Sequence, residues 1–539
     1  MRPDAHAPSV ESREDREAAP TVKSVSLGGS ALSRCIQARG APPEWRVVSP
    51  SNVAGWSERA RDTQAAFATH DWWRDIAPAT SQAGAGRERL ERVARAGGVV
   101  VTTGQQPGLF GGPVYTWSKA LSALALADEI ERVTGVPAAP LFWAATDDAD
   151  LAEAQRVWVS LEGGARELRG TADAPAGTPA STVRQGHLGA QLASLREASG
   201  SAMHAGVLAA AEAAYGNPGA TIGDAYIVLL ESVLAPLGIA VIDASHPAIR
   251  RAGGTVVRRA LDEAEAVQAA LSQRTAAIRS HGFEPQVDDV AGLTPVFVYD
   301  GESKRRVRID EASLVASSTD YTGLGPNVLL RPIVEAGILP TVAYVAGPAE
   351  LAYFAQVTAL AEAIGARIPV AVPRWSGVIV EPRMQRLLAR LGVEPGELAD
   401  PHAVEGVLAR AGMPQPLAAA LAQAAESVAG SVGAIDAADR TDLIPTPVLD
   451  GLKDRLAHQL ARLERRALAA VKRREAMLVG GVATARGYFF PGGKPQERAL
   501  AIIPFLARSG PRILDAMITE ARRHAAALVS GRARTGGEA

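Results

Sequence analysis

The stretch from Val99 to Ile130 reads VVVTTGQQPGLFGGPVYTWSKALSALALADEI. It begins as a β-branched apolar run, is interrupted by four glycines and two prolines, and then becomes regular again. This order predicts a buried strand, a tight turn and a helix over about residues 116–133. A short strand that leads through a turn into a longer helix is the repeating unit of a parallel sheet covered by helices.

Three further segments follow the same order. One contains a strand at 140–145 that ends in acidic residues, one reads as helix, strand and helix over 225–254, and one covers 337–380 with its last strand at 369–372. Two stretches interrupt the pattern, at about 160–219 and 258–318, and the second contains a predicted β-hairpin that turns at Asp300-Gly301. The sequence therefore predicts an α/β fold with a parallel sheet, whose insertions build the walls of a site.

The composition narrows the class of protein. The chain has 539 residues, of which 47% are hydrophobic and 21% charged, and its formal net charge is -2. Such a balance gives no reason to expect nucleic acid or a membrane surface as a partner. The single cysteine, Cys35, excludes an intrachain disulfide, and no apolar run has the length of a membrane helix. We expect a cytoplasmic protein.

The segment after Val393 is almost purely helical. Apolar residues within it follow an 11-residue period: Leu449, Leu452, Leu456, Leu460, Leu463, Ala467 and Val471. This spacing predicts one long, nearly straight helix. Its other faces are basic, which indicates either a solvated surface or a contact with an anion.

In an open parallel sheet, ligands bind beyond the carboxyl ends of the strands, where loops and helix N-termini meet. The opening stretch lies at such a position, and its glycines would allow close approach of a ligand: Gly104, Gly108, Gly111 and Gly112. Lys119 follows in the next helix. The spacing fits no phosphate-binding motif, so a tight strand-to-helix turn is the alternative.

Polar residues also follow the other predicted strands. The second strand ends in Asp147, Asp148 and Asp150, and one of these or Thr146 is expected to cap the next helix. Further polar residues lie at the later strand ends: Asn327, Arg331, Tyr344, Glu350, Arg374 and Ser376. A buried Arg331 would need an anionic partner, either Glu350 or a substrate carboxylate. The histidines lack the spacing of metal ligands, so we predict no resident metal site.

Several of these segments together resemble one family. TGQQPGLFGGPVYTWSKA, PLFWAATDDAD, GLGPNVLLRPIVEAGILPTVAYVAGPAELAYFAQV and VAVPRWS are similar to the bacillithiol biosynthesis cysteine-adding enzymes, and LERRALAAVKRRE resembles their coiled coil. The resemblance runs in order from about Val99 to Leu514. It implies a Rossmann-like core at 23–390 and a helical coiled-coil domain at 391–528. The ends at 1–22 and 529–539 lack an apolar run, so we predict that they are disordered.

The resemblance also implies an activity. Such a ligase joins L-cysteine to the amine of glucosaminyl malate in the last step of bacillithiol synthesis, and it dimerises through the coiled coil. Amide formation requires activation of the carboxylate, for which we expect ATP, with Mg²⁺ as a further candidate. The implied catalytic residues are Asp147, Asp148, Asp150 and Lys119, and Gln105, Gln106 and Tyr115 join the residues named above as substrate contacts. The four glycines would contact the nucleotide.

This chain departs from the family pattern at the two loops. Ser118 and Ala149 stand where the family has histidines, Asp147 replaces a glutamate, and Ala349 replaces a glycine. Histidine relays protons near neutral pH. Because both histidines are replaced, two alternatives to this ligase activity stay open. One is a divergent nucleotide-dependent transferase or ligase with another substrate, and the other is a non-catalytic dimeric scaffold. For the leading hypothesis, substitution of Asp150 or Arg331 by alanine should abolish activity without unfolding the protein.

Overall fold

The computed structural model describes residues 20–81, 83–300, 303–317, 320–441, 443–474 and 476–532. The strands are β1 Thr21–Ser24, β2 Val99–Gln105, β3 Ala138–Ala144, β4 Arg156–Leu161, β5 Gly164–Arg169, β6 Ala240–Asp243, β7 Leu293–Asp300, β8 Ser303–Arg308, β9 Leu324–Pro326, β10 Thr341–Ala346, β11 Val370–Pro373 and β12 Gly377–Val380.

The first ten α-helices are α1 Ala31–Gln37, α2 Val53–Phe67, α3 Trp72–Ile76, α4 Ala85–Arg95, α5 Val114–Thr134, α6 Leu151–Ala154, α7 Gly189–Ser199, α8 Ala205–Tyr215, α9 Ile222–Leu234 and α10 Pro247–Asp262. The remaining α-helices are α11 Ala264–Ser280, α12 Ala312–Ala316, α13 Arg331–Ile338, α14 Pro348–Ala363, α15 Pro382–Leu391, α16 Pro401–Ala411, α17 Gln415–Ala438, α18 Thr446–Arg474, α19 Ala476–Phe489, α20 Ile503–Ser509 and α21 Pro511–Val529.

Five parallel strands form the central sheet, in the order β11-β10-β2-β3-β6. The chain first builds outward from β2 through β3 to β6, and then returns to the other side of β2 for β10 and β11. The strand order therefore reverses between β2 and β10. In such sheets the crevice at the reversal, beyond the carboxyl ends of the strands, is the usual place for a ligand.

The strands are apolar throughout because helices cover the sheet. All seven residues of β3 are buried, as are the first six of β2. Leu141 and Trp143 of β3 lie beside Ala240 and Ile242 of β6 and pack in one core cluster with residues of α3 and α4. The sequence prediction of an α/β fold with a parallel sheet is confirmed, and the predicted helix over 116–133 is the core of α5.

A second, three-stranded sheet contains β7 and β8, which lie in the region predicted as the later insertion, and β9, which lies beyond the predicted end at 318. Strands β7 and β8 form the predicted hairpin, with Asp300 paired to Ser303, and β9 pairs with the other side of β7. Gly301, the second residue of the predicted turn, lies outside the described residues.

The chain divides into two compact units. The first comprises residues up to 159, 167–381 and 496 onward, and the second comprises residues 160–166 and 382–495. The segment 496–532 belongs to the sheet-containing unit because α21 packs along α5. The predicted helical domain ended at 528, so the contact-based unit is shorter at its C-terminal end. A compact unit of the structure need not coincide with a domain defined by sequence similarity, so the domain limits 23–390 and 391–528 stay predictions.

The predicted disordered ends overlap described structure at their inner borders. Residues 20–22 were included in the disordered segment, but Thr21 and Val22 belong to β1, which pairs with β12. This part of the prediction is wrong because the short apolar pattern after Pro20 has a partner strand that is distant in sequence. At the other end Val529 is the last residue of α21, and it is buried. Residues 1–19 and 533–539 lie outside the described residues.

The second unit consists mainly of the helices α15 to α19. The long predicted helix is confirmed as α18, which lies along α17. Part of its apolar stripe is exposed within this single chain: Leu456 is 38% and Leu463 53% exposed. By length and composition α17 could cross a membrane, with a mean hydropathy of 1.2. A long alanine-rich helix that pairs with a second helix meets the same criterion, so this finding carries no membrane assignment.

Candidate functional site

The reversal between β2 and β10 holds a cluster of charged and phenolic side chains, which we call the switch-point cluster. Its members come from β10 and from the helices α5, α13 and α14: Lys119, Arg331, Glu335, Tyr344, Glu350 and Tyr353. Five of the six are at least nine-tenths buried, and Arg331 is half-buried. Buried charges need compensating partners, so the bonding of each member defines what this cluster can do.

Lys119 reaches back from α5 to the end of β2. Its ammonium group lies 2.8 Å from the carbonyl oxygen of Gly104, 2.9 Å from Gln105 Oε1 and 2.6 Å from Glu350 Oε2. An ammonium group has three donors, and these three acceptors use them all. Burial lowers the pKa of Lys119, and the nearby carboxylate of Glu350 opposes this effect.

Glu350 connects the lysine to the N-terminus of α14. Its Oε2 accepts a bond of 2.6 Å from the backbone N–H of Gly347, and its Oε1 accepts the hydroxyl of Tyr344. Burial alone would raise the pKa of this carboxyl group, but Lys119 and Arg331 hold the pKa below its ordinary value. Glu350 is therefore ionised at neutral pH, and the helix N-terminus stabilises its charge.

Arg331 completes the cluster from the first turn of α13. It donates to Glu335 Oε2 at 3.1 Å and to the hydroxyl oxygens of Tyr344 and Tyr353, each at 3.0 Å. Glu350 Oε1 lies 3.9 Å away. Of the two predicted partners for this arginine, the structure shows Glu350, and it adds Glu335. The predicted clamp on substrate carboxylates stays a prediction, because these donors already have protein partners.

Gln105, Gln106 and Tyr115 are half-buried and border the cluster. The amide nitrogen of Gln105 donates to the hydroxyl oxygen of Tyr115 at 2.9 Å, and that hydroxyl donates to Glu153 Oε1 at 3.3 Å. Burial raises the pKa of Tyr115, and Glu153 adds to the increase, whereas Arg498 and Arg374 oppose it. Tyr115 is thus neutral at physiological pH and acts here as a hydrogen-bonding group.

The glycine-rich turn is buried and packed by the protein itself. Gly111 donates its N–H to Gly108 O and Gly112 to Leu109 O, while the hydroxyl of Tyr215 bridges Gly108 O and Gly111 N. Gly111 and Gly112 have φ of +82° and +74°, a region that side chains disfavour.

Close packing explains the glycines in this turn. A Cβ on Gly108 would lie 2.7 Å from Gly112 Cα, and one on Gly104 would lie 3.3 Å from Arg331 Nη1. The structure therefore gives these glycines the alternative role of a tight turn. Their contact with a nucleotide stays a prediction.

The aspartates after β3 are arranged differently. Asp150 caps α6, since its Oδ1 accepts the N–H of Glu153 at 3.0 Å, and Asp148 Oδ1 accepts the N–H of Asp150 at 2.9 Å. Burial raises the pKa of Asp148. Asp147 receives the Tyr299 hydroxyl at 3.4 Å, and its carbonyl oxygen accepts the ammonium group of Lys304. The loop adjoins the end of β2 through a 3.0 Å bond from Ala145 N to Gln105 O.

Of three further predicted contacts, Asn327 and Arg374 have partners within the protein. Asn327 Oδ1 accepts the N–H groups of Leu329 and Leu330, each at 3.0 Å, and thereby stabilises the start of α13. Arg374 forms a buried bidentate pair with Glu497 at 2.8 and 2.6 Å. The hydroxyl oxygen of Ser376 is buried and has no hydrogen-bond partner among the described residues.

The segment after the helical unit supplies part of the site wall. Leu500 O accepts the N–H of Val114 at 2.9 Å, so this segment lies against the start of α5. Arg498 precedes it, is exposed, and lies near enough to Tyr115 to influence its pKa. The sequence analysis missed Arg498, Glu497, Glu335 and Glu153. Of these, only Glu335 had a local signal, four residues after Arg331 on one helix.

The described residues contain no group of three or more histidine, cysteine, aspartate or glutamate side chains that could hold a metal ion. The carboxyl groups of Asp147 and Asp148 bind Tyr299 and the backbone of Asp150, respectively. These residues do not fit a dedicated metal site, although a metal ion that arrives with a nucleotide needs only one or two protein carboxylates.

A buried cation–carboxylate cluster at a topological reversal, bordered by half-buried polar groups, is typical of α/β proteins that bind small molecules at the sheet edge. Comparison with known proteins is consistent with this class. Residues 74–375 match the family model described as "Bacillithiol biosynthesis BshC, N-terminal Rossmann-like domain". Residues 378–527 match the model for the C-terminal coiled-coil domain of the same family. The chain belongs to the bacillithiol biosynthesis BshC family, and it is an enzyme of the ligase class.

Three curated relatives match most of this chain over most of their own length. Each of the three carries the name "Putative cysteine ligase BshC". The relative from Solibacter usitatus is 32% identical over 460 residues, which cover 82% of this chain and 86% of that protein. The relative from Koribacter versatilis is 29% identical over 82% of this chain and 85% of its own length. The relative from Salinibacter ruber is 26% identical over 80% and 82%, respectively.

Proposed function

We propose that this ligase joins the carboxyl group of L-cysteine to the amine of glucosaminyl malate and thereby completes bacillithiol in the cytoplasm. The observation that carries the proposal is the match to both family models, in order and over 74–375 and 378–527. The relatives are named putative cysteine ligases, which supports cysteine as one of the two substrates.

The reaction requires an activated carboxylate, and ATP is the proposed co-substrate, with Mg²⁺ bound to its phosphates. A cysteine carboxylate oxygen attacks a phosphorus atom of ATP, which gives an acyl phosphate and ADP or an acyl adenylate and pyrophosphate. The sugar amine then attacks the acyl carbon, the C–N bond forms, and the C–O bond to the phosphoryl group breaks. The amine also loses a proton, which a protein base must accept.

The residues divide into two groups with different roles in this proposal. The side chains at the opening are available to a ligand: Gln105, Gln106 and Tyr115 are half-buried, and Arg498 is exposed. The switch-point cluster lies behind them and fixes the ends of β2 and β10. Asp148 is the proposed proton acceptor, because its raised pKa brings it nearer to the range of an efficient base. This assignment does not require the histidines that Ser118 and Ala149 replace.

The position of Ser118 supports a reaction without a histidine in α5. Its side chain is fully buried, and its hydroxyl group donates to Val114 O at 3.3 Å within the helix. A ligase with a different amine acceptor is the second candidate function, favoured by the replacement of both histidines at Ser118 and Ala149.

A homodimer is also proposed, since the exposed leucines of α18 offer an apolar stripe to a second copy.

The test is to incubate the purified protein with cysteine, glucosaminyl malate and ATP, and to detect bacillithiol by mass spectrometry. Samples without ATP and a Tyr115→Phe variant serve as controls, since the substitution removes one hydroxyl group at the opening. Product that depends on ATP supports the proposal. In a parallel sample glucosamine replaces glucosaminyl malate as the acceptor. No product from glucosaminyl malate, together with a cysteinyl amide in the glucosamine sample, would favour the second candidate.

A further inference from the structure

A depression of about 700 Å³ lies away from the switch-point cluster. Its lining combines charged and apolar side chains from α2, from the segment before α2 and from the segment before β11: Val47, Arg59, Asp62, Ala65, Ala66, Arg367 and Ile368. Ile368 precedes the first residue of β11 by two positions, so the depression adjoins the amino end of that strand. The candidate ligase site is at the carboxyl ends, and the two sites are therefore distinct.

Two guanidinium groups face this depression without a full set of partners. Arg59 Nη2 donates to Ile368 O at 2.8 Å, but its Nε is buried and has no hydrogen-bond partner among the described residues. Arg367 is exposed, and its only hydrogen bonds within the described part of the chain go to the backbone oxygen of Asp62, at 3.4 and 3.5 Å. These are long bonds, so most of the donor capacity of Arg367 is unused.

The electrostatics favour an anion in this place. Burial lowers the pKa of Arg59, the charge of Arg367 lowers it further, and Asp62 opposes both effects. The two neighbouring cations repel each other. Asp62 compensates their charge only weakly, because its carboxylate forms no ion pair with either guanidinium group in the described part of the chain. Guanidinium groups bind carboxylates and phosphates through paired, charge-assisted hydrogen bonds.

The remaining lining residues define the rest of the ligand. Val47, Ala65, Ala66 and Ile368 provide apolar contact beside the charged groups, and the volume lies within the range of small-molecule sites, roughly 300–1,000 Å³. We infer that Arg59 and Arg367 form a second binding site, for a small organic anion with one carboxylate or phosphate group and an apolar part.

The experiment is calorimetric titration of the full chain with four probes at fixed ionic strength. Phenyl phosphate and benzoate contain an apolar part, whereas inorganic phosphate and acetate lack one. We expect saturable binding of at least one aromatic probe, tighter than its non-aromatic counterpart, and at least about tenfold weaker in Arg367→Ala. The stronger aromatic probe identifies whether the site prefers phosphate or carboxylate.

Arg61→Ala is the matched control, because Arg61 lies on the same helix, is exposed and does not line the depression. It removes the same charge and should leave binding unchanged. Arg59→Ala should also abolish binding, but it removes the bond from Arg59 to Ile368 O and could therefore prevent folding. Arg367→Ala keeps that bond, so it tests the site even if the Arg59 variant does not fold. Equal weakening in Arg61→Ala and Arg367→Ala, or no saturable binding of any probe at millimolar concentration, would overturn the inference.

Discussion

The ends of β3 and β10 both carry acidic residues, but the structure places them in different surroundings. After β10, Glu350 is buried between Lys119 and Arg331. Its carboxylate accepts bonds from the ammonium group of Lys119, from a tyrosine hydroxyl and from a backbone N–H. After β3, Asp150 is exposed and caps a four-residue helix. Residue type alone therefore does not separate a buried ion-pair cluster from a capping loop.

The difference follows from the topology of the sheet. β10 lies next to β2, so the helices that follow these strands bring Lys119 and Glu350 to within 2.6 Å. β3 lies between β2 and β6, away from the reversal, and its loop instead meets the β7–β8 hairpin through Asp147. Substitutions at both places can test whether the first region depends on charge compensation and the second on backbone capping.

The largest effect is expected for Glu350→Gln. Glutamine keeps acceptor and donor groups of similar shape but leaves Lys119 and Arg331 without their shared carboxylate, and loss of one partner from a buried ion pair costs about 3–5 kcal/mol. Urea unfolding should show this decrease in the free energy of unfolding.

Glu88→Gln is the control, because Glu88 is an exposed glutamate on α4. Its substitution should change stability by less than about 0.5 kcal/mol. A loss below about 1 kcal/mol for Glu350→Gln would contradict the view that the cluster is held by charge compensation. By the same reasoning Arg331→Ala should destabilise the protein. This differs from the expectation drawn from the sequence, in which the substitution abolishes activity without an effect on folding.

Much of this arrangement could be predicted from the sequence. β-branched runs and the Gly/Pro breaks identified the strands and their ends, and a parallel sheet brings those ends to one edge. Lys119, Arg331, Tyr344 and Glu350 were selected on this basis, and the structure brings all four together.

The rest depended on long-range packing. Glu497 pairs with Arg374 across 123 positions, and no local pattern indicates such a pair. The role of Asn327 as an acceptor for two backbone N–H groups depends on backbone geometry, since asparagine at a strand end serves equally as a ligand contact or a cap.

The pH dependence of stability tests Glu335, the buried partner of Arg331. Burial raises its pKa to about 6 from the ordinary 4.5, and Arg331 only partly opposes this. The folded state therefore binds this proton more tightly than the unfolded state, so the stability contributed by Glu335 is complete below pH 4.5 and decreases as pH rises towards 6. The total change is about 2 kcal/mol.

Glu335→Gln carries no titratable proton, so the difference in unfolding free energy between the wild type and this variant should decrease by that amount across the interval. Chemical denaturation at half-unit pH steps measures the difference. A difference that stays constant with pH, or that increases, would show that Glu335 titrates normally and that the switch-point cluster does not bury it.

Arg498→Ala tests the opening rather than the cluster. The side chain is exposed and has no hydrogen-bond or ion-pair partner among the described residues, so stability should change by less than about 0.5 kcal/mol. If Arg498 contacts an anionic substrate group, KM should rise by about tenfold, equivalent to about 1.4 kcal/mol, with kcat little changed. Arg522→Ala, which removes an exposed arginine from α21, is the matched control. The same KM in both variants would remove Arg498 from the proposed site.

The smallest effect is expected at Asp150, where capping and catalysis can be separated. Asp150→Ala removes the acceptor for the N–H of Glu153 and should cost about 1 kcal/mol, whereas Asp150→Ser retains a side-chain oxygen suited to this position. If capping is the role of Asp150, the serine variant keeps both stability and ligase activity. If its carboxylate takes part in chemistry, the serine variant folds normally but loses turnover, as the sequence analysis predicted for the alanine variant. Thermal unfolding and product formation measured on the same preparations distinguish the two results, and activity retained in the serine variant would leave Asp148 as the aspartate of this loop with a proposed catalytic role.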